Sequence, residues 1–238
     1  MNLSVIIPSR NTDNLLACVS AVRAHEPTLK IIVVDDGLDL GRLSNFSDCW
    51  FCAMDPVQVV AGVKPFIFAR NMNIGIRAAG TDDVILLNDD ALLETPGGLS
   101  KLQHQGLVHP ECGIISASTN GASMNQRRHP GDGLRYEDVM VAFVCAFIPR
   151  STIDRIGMLD ERFGLNAGGP GTRGYGCDDD AMCYLARKAG LKLGIYDGCY
   201  VDHRSLPSTF RDDPEHPADV VAHEQLFAEL YGVHPRTI

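Results

Sequence analysis

Nowhere in the 238-residue chain does an apolar run approach the ~20 residues that span a bilayer. No basic stretch precedes the first apolar segment, MNLSVIIPSR, so no secretory signal is expected there. Positive charge is also scarce: 21 Lys and Arg stand against 30 Asp and Glu, a net of −9. Such a surface repels phosphate backbones and argues against nucleic acid as the main partner. The only dense basic cluster is Gln126-Arg127-Arg128-His129, and a local patch can still bind phosphate. Cys49-Trp50-Phe51-Cys52 has no second CxxC or His pair, so a zinc site lacks half its ligands. It lies in an aromatic-rich run rather than at a helix start, which reads as structural rather than redox-active. Cys18, Cys145, Cys183 and Cys199 sit among apolar residues as small core groups. Eight reduced thiols suit a cytoplasmic location. Internal repeats and low-complexity segments are absent, and the length fits one domain.

What is present is an alternation. Leu3 to Pro8 reads as a strand, and Asn14 to Glu26 as a helix with Leu15, Leu16, Val19 and Val22 at helical spacing. Ile31 to Val34 is apolar on consecutive residues, as in a strand covered on both faces. A strand over Trp50 to Met54, a helix over Phe66 to Ala79 and a strand over Val84 to Leu87 follow. This order predicts an α/β fold around a mostly parallel sheet. In the second half, strands are expected at Gly113 to Ser118, Val141 to Pro149 and Lys192 to Tyr196. Short and longer helices are expected at Ser151 to Ile156, capped by Ser151, and at Asp178 to Ala189. Asn120 to Gly133 and Leu165 to Gly176 read as mobile loops, and Asp219 to Tyr231 as an amphipathic tail helix.

Ligands bind such sheets beyond the carboxyl ends of the strands. Three predicted strand ends carry polar groups: Pro8-Ser9-Arg10-Asn11, Asp35-Asp36 and Asn88-Asp89-Asp90. Neighbouring carboxylates such as Asp89 and Asp90 repel one another if buried alone, and a bound cation relieves that repulsion.

SVIIPSRN, IIVVDDG, ARNMNIGIRAAG, ILLNDDALL, CDDDAMCYLARKAG and VDHRS occur in this order. Together they resemble the family 2 glycosyltransferases, from about Asn2 to about Ser205. The resemblance implies a GT-A fold, a nucleotide-sugar donor linked to UDP, dTDP or GDP, a divalent metal and an inverting reaction. It also implies one domain over 1–238, with a nucleotide-sugar-binding half at 1–92, an acceptor and catalytic half at 93–205 and a tail at 206–238. It places Pro8, Ser9 and Arg10 at the nucleotide, Asp35 and Asp36 at the base, and Arg70 and Asn71 near the sugar or its phosphates. Asn88 and Asp90 become the ends of a DxD-like motif, joined by Asp89. Asp90 and His203 become the metal ligands, with Mn2+ preferred to Mg2+ because of the imidazole. Asp179 becomes the catalytic base, with Asp178 beside it. The acceptor is implied to be a glycan or another hydroxyl-bearing molecule, a modified nucleic acid remaining open. The tail helix is a candidate surface for a homodimer.

The chain departs from the family pattern at Asn88, where an Asp is usual, and at Leu38, where a small polar residue is usual. Each motif alone has a bland explanation: a turn after a strand at Asp35-Asp36-Gly37, a charge cluster at Asp178-Asp179-Asp180, a surface histidine at His203. Two rival functions remain: a sugar-nucleotide nucleotidyltransferase, and a non-catalytic nucleotide-sugar-binding protein of the same fold. The first would want a Gly- and Lys/Arg-rich phosphate loop, in which PSRNTDN is poor.

Overall fold

The computed structural model describes residues 2–39, 41–43, 57–121, 124–163, 176–208 and 216–237. Strands β1 (Leu3–Ser9), β2 (Lys30–Asp35), β3 (Gln58–Ala61) and β4 (Asp83–Leu87) pair in parallel, in the spatial order β3-β2-β1-β4. The alternation expected over the first ninety residues therefore builds a parallel half-sheet. The CxxC and the strand expected over Trp50 to Met54 lie outside the described residues; the strand next to β2 is Gln58–Ala61.

The second half adds β5 (Leu92–Leu93), β6 (Cys112–Thr119), β7 (Leu134–Glu137), β8 (Cys145–Ile148) and β9 (Lys192–Asp202). β8 runs antiparallel to both β4 and β6, and β9 runs parallel to β6. Hence β6 and β9 point the same way as β1, β2 and β4. All five carboxyl ends lie on one edge of a single nine-stranded sheet. β5 and β7 pair antiparallel with β9.

Helices cover both faces, and the two-residue strand period explains how. Val5, Ile7, Ile31, Val33, Ile85 and Leu87 share one core with Leu15, Val19 and Val22 of α1 (Thr12–His25) and with Leu99 and Leu102 of α3 (Gly98–Val108). Ile6, Ile32, Val34, Val84 and Leu86 face the other way. They pack on Met72 and Ile76 of α2 (Phe68–Ala78), Ile153 of α4 (Arg150–Ile156), and Met182 and Ala186 of α5 (Asp178–Lys188). Each large aliphatic side chain so withdrawn from water contributes roughly 1.5–3 kcal/mol. A Cβ on Gly75 would stand 2.2 Å from Cγ2 of Ile6, so glycine lets α2 settle directly on β1.

Several boundaries differ from the sequence expectation. α4 begins after Pro149, which makes no side-chain cap, so Ser151 is not the N-cap. β9 runs on to Asp202 because its register against β6 jumps from Ala117↔Tyr196 to Ser118↔Tyr200, absorbing Asp197-Gly198-Cys199 as a bulge. The described part of the expected mobile loop at Asn120 to Gly133 is anchored. Gln126 is fully buried, donates from Nε2 to Ser116 Oγ at 2.8 Å and accepts the Ala142 N–H at 2.7 Å.

The tail helix α6 (His216–Tyr231) buries Phe227 against the rest of the chain. Phe227, Leu226, Leu230 and Tyr231 pack with Phe163, Cys177, Ala181 and Tyr184. Val221 on the same helix stays 54% exposed. No described helix is long and apolar enough to cross a membrane.

Candidate active site

The shared carboxyl edge collects the polar strand ends. Asp90 follows β4 and His203 follows β9, and Nε2 of His203 stands 2.9 Å from Oδ1 of Asp90. Both are largely buried, at 12% and 7% side-chain exposure. The Gly121 carbonyl lies 3.2 Å from Nδ1 of His203. A carbonyl only accepts, so Nδ1 carries the proton. Nε2 therefore meets the Asp90 carboxylate either as an imidazolium donor or, with its lone pair, across a cation.

The histidine is held from behind. Asn120 Oδ1 accepts the His203 N–H at 2.8 Å, and Asn120 Nδ2 donates to Asp202 Oδ1 at 2.7 Å. Asp202 also accepts from the Arg204 N–H at 2.9 Å and from the Ser205 hydroxyl. Burial pushes the Asp202 carboxyl up, but these hydrogen bonds outweigh it and hold the group below the usual carboxylate range. A Cβ on Gly121 would lie 2.6 Å from Cβ and Nδ1 of His203, so only glycine fits under the ring.

These residues suit a divalent cation in chemistry. Asp90 offers a hard oxygen and His203 an oriented imidazole nitrogen. Buried Oδ1 of Asn88 has no partner among the described residues. No group of three His, Cys, Asp or Glu that could hold a metal gathers among the described residues, so Asp90 and His203 would need further ligands to complete a cation's shell.

Asp89 points elsewhere. Its Oδ2 accepts from Ser9 Oγ at 2.6 Å and ties the end of β1 to the end of β4. Burial pushes this carboxyl up to about 6, against the Ser9 hydrogen bond and the Arg10 charge, with Asp90 adding to the rise. Pro8 is buried, and Arg10 is exposed with its guanidinium 5.5 Å from the Phe66 ring centroid.

Asp35 and Asp36 separate into different roles. Oδ1 of Asp35 accepts the N–H groups of Gly37 and Leu38, both at 2.8 Å, and shapes the turn after β2. Leu38 itself is buried in the core, which accounts for the apolar residue at that position. Asp36 is 1% exposed and pairs through Oδ2 with Lys64 Nζ at 2.9 Å, while its Oδ1 has no partner among the described residues. Asn71, on α2, accepts the Val63 N–H at 3.3 Å, and its Nδ2 is likewise buried without a partner. Arg70 lies on the same helix, 3.9 Å from Glu161.

The third group is the acid run that opens α5. The helix is joined to β9 by a short turn and packs on it, so it runs back across the sheet and its N-terminus lies toward the carboxyl edge. Oδ1 of Asp178 accepts the Gly176 N–H at 3.1 Å, and burial pushes this carboxyl up to about 6. Asp179 is half-buried and accepts the Asp180 N–H at 2.9 Å. Burial, followed by the charges of Asp180 and Asp178, pushes Asp179 well above the usual carboxylate range. Asp180 is raised chiefly by burial, against the charge of Arg236. Cys177, which precedes the run, has φ of 58°, a left-handed conformation unusual for a non-glycine residue. The glycine-rich stretch before Gly176 lies outside the described residues.

The geometry thus joins Asp90 to His203, Ser9 to Asp89 and Asp36 to Lys64. Asp179 is engaged within its own run, through the Asp180 N–H. Sequence reading missed Asn120, Gly121, Lys64 and Asp202. Asp202 stood beside His203 in VDHRS and was legible as a neighbour, whereas Asn120 and Lys64 carried no local signal.

Over residues 4–136 the sequence matches the family described as Glycosyl transferase family 2. Comparison with curated proteins gives no match. Among solved structures, GalNAc-T7 with UDP, GalNAc and Mn2+ is similar with a TM-score of 0.69 at 14% identity, covering 99% of this chain and 52% of that one. The mannosyltransferase PcManGT from Pyrobaculum calidifontis, in complex with GDP-Man and Mn2+, is similar with a TM-score of 0.66 at 16% identity, covering 87% and 58%. TarS 1-349 of S. aureus is similar with a TM-score of 0.58 at 12% identity, covering 84% and 60%. The chain therefore spans little more than half the length of each. At these identities the likeness establishes the fold, the GT-A type of glycosyltransferases.

Proposed function

The chain belongs to glycosyl transferase family 2, and from that premise we propose a metal-dependent, inverting transfer of a sugar from a nucleotide-sugar donor to an acceptor hydroxyl. The observation that carries this reading is the Asp90–His203 pair at 2.9 Å, set on the same sheet edge toward which the Asp178–Asp180 run points.

Asp36 recognises the base. Its buried Oδ1, without a partner among the described residues, is an acceptor that an imide N–H of uracil, thymine or guanine would satisfy. Ser9 is spent on Asp89, so at that point the β1 end offers the nucleotide backbone groups and the exposed Arg10 guanidinium. Arg70, paired only loosely to Glu161 at 3.9 Å, is the cation proposed for a phosphate or the donor sugar. Asp90 and His203 would hold the divalent cation, which stabilises charge on the departing diphosphate when bound. The imidazole favours Mn2+ over Mg2+.

Asp179 takes the proton from the acceptor hydroxyl as it attacks the face opposite the diphosphate. Its position supports the choice over its neighbours. Asp178 is committed to the Gly176 N–H and Asp180 is deeply buried toward Arg236, whereas Asp179 is the half-buried member of the run.

The test is incubation with UDP-, dTDP- and GDP-sugars, Mn2+ and an acceptor panel, with the anomeric configuration of the product read by NMR. Inversion is expected. The Asp179→Asn variant should keep nucleotide and Mn2+ affinity and lose about 10²–10⁴-fold in transfer rate. Retention of configuration, or wild-type rates in Asp179→Asn, would overturn the assignment. Formation of a nucleotide sugar from sugar phosphate and nucleoside triphosphate would favour the nucleotidyltransferase reading instead.

A further inference from the structure

The basic cluster at Arg127, Arg128 and His129 has no part in the chemistry above, yet it is built rather than loose. All three residues are exposed. The backbone that carries them is fixed from the inside. Gln126 is sealed in the core through Ser116 and Ala142. Arg135 donates from Nη1 to the Asn125 carbonyl at 2.9 Å and from Nη2 to the Arg127 carbonyl at 3.1 Å. The same guanidinium grips Asp197 in the β9 bulge at 2.7 Å, and Asp197 accepts the His129 N–H at 3.0 Å. Inward groups thus satisfy the loop while Arg127 and Arg128 face solvent.

The loop also starts at the candidate site. Gly121 touches His203, and Asn120 accepts on its carbonyl from Nε of the exposed Arg204 at 3.0 Å. The Arg128 guanidinium lies 5.7 Å from the ring centroid of Tyr200, on the strand that ends at Asp202. No ion pair among the described residues involves Arg127, Arg128 or Arg204. In a chain of net charge −9, a patch of guanidinium groups with no carboxylate partner among the described residues, on the loop that leaves His203, is a selective feature.

We propose that this patch binds the acceptor, and that the acceptor is anionic, carrying carboxylate or phosphate groups near the hydroxyl that receives the sugar. This rests on the transferase reading above. Guanidinium forks match carboxylate and phosphate bidentately. Stacking on Tyr200 orients Arg128 and leaves its outer edge for the ligand. A short charged glycan suits the patch better than a nucleic acid. The arginines are few, and the adjoining edge carries Asp90 and Asp202, which repel a continuous phosphate backbone.

The test uses calorimetry at low salt with EDTA. Trigalacturonate and tripolyphosphate, as carboxylate and phosphate probes, and maltotriose, as the neutral control, are titrated into wild type, the Arg127→Gln/Arg128→Gln double variant and an Arg10→Gln variant. At least one anionic probe should bind wild type more tightly than maltotriose. It should bind the double variant about tenfold or more weakly, with a shallower salt dependence. Which probe binds distinguishes a carboxylated from a phosphorylated acceptor. Both arginines are exposed, so the double variant should fold; if it does not, either single variant gives the same reading at a smaller effect. Equal affinity for maltotriose, or unchanged binding in the variants, would overturn the proposal. So would loss caused by Arg10→Gln alone, which would place the anion at the donor end. Tighter binding of a single-stranded oligonucleotide than of either probe at equal salt would replace the glycan by nucleic acid. UDP and GDP with Mn2+ are titrated into the same proteins. If neither binds wild type while an anionic probe still depends on Arg127 and Arg128, the transferase reading fails and the anion site stands.

Discussion

Replacing Asp89 by Asn should make the protein more stable at neutral pH, and by an amount that depends on pH. Asp89 Oδ2 accepts from Ser9 Oγ at 2.6 Å, and an Asn side chain keeps an oxygen for that bond. What it removes is a buried charge. Burial raises the Asp89 carboxyl from 3.8 to about 6. A rise of about two units corresponds to ~3 kcal/mol, and partial solvent access at this half-buried residue reduces that to ~2 kcal/mol. The sign follows from proton counting. Between pH 3.8 and about 6 the folded state holds more protons at this site than the unfolded state, so the wild type loses stability as pH rises through that window. Below the window Asp89 is neutral in both states and costs nothing. Above it the full cost is present. The stability difference between Asp89→Asn and wild type should therefore grow from near zero at pH 4 to ~2 kcal/mol at pH 7, then stay flat. For a chain of this size that is a gain of roughly 4–8 °C in Tm. Urea titrations with EDTA present, at half-unit pH intervals from 4 to 8, read the difference curve. A pH-independent offset, or a variant that loses ground as pH rises, would refute the reasoning.

Two further substitutions test the packing around the site. Gly121→Ala places a methyl against the His203 ring, where a Cβ would come within 2.6 Å, and should weaken Mn2+-dependent nucleotide binding by about 10–100-fold. Calorimetry with UDP or GDP and Mn2+ reads it, and unchanged affinity would show that ring position is not set there. Gly75→Ala drives a methyl into Ile6 and should cost about 1–3 kcal/mol by urea denaturation. Ile6→Ala in that background should cost less than it does in wild type, because the two positions are coupled; strict additivity would contradict the contact.

The first half of the fold was legible because its signals are local. Consecutive apolar residues in Ile31 to Val34 and Val84 to Leu87 mark strands buried on both faces, and the helical spacing of Leu15, Leu16, Val19 and Val22 marks α1. The parallel pairing then fixed where Ser9, Asp36 and Asp90 would lie. The second half was harder. α3 reads GLSKLQHQGLV, with glycine at its first position and again at Gly106, where a Cβ would strike the Phe147 ring at 2.3 Å; tertiary packing overrides weak helix propensity. β9 runs past the expected Tyr196 through a bulge, and the long-range bonds from Arg135 and the His129 N–H explain a buried aspartate there. The same limit hid Asn120 and Lys64. Their partners, His203 and Asp36, lie far away in sequence, and spacing alone does not report such contacts. The separation of Asp35 as turn former from Asp36 as open acceptor also needed coordinates, since both are acids at a strand end.

Electron paramagnetic resonance of Mn2+ tests the central claim most directly. Free Mn2+ gives a sharp six-line signal that collapses on binding. With UDP or GDP present, wild type should quench that signal in a saturable way, and Asp90→Ala and His203→Ala should each shift the midpoint by about tenfold or more while leaving the unfolding midpoint near that of wild type. Equal quenching in wild type and both variants, or none in wild type with either nucleotide, would contradict a metal-dependent donor site at Asp90 and His203.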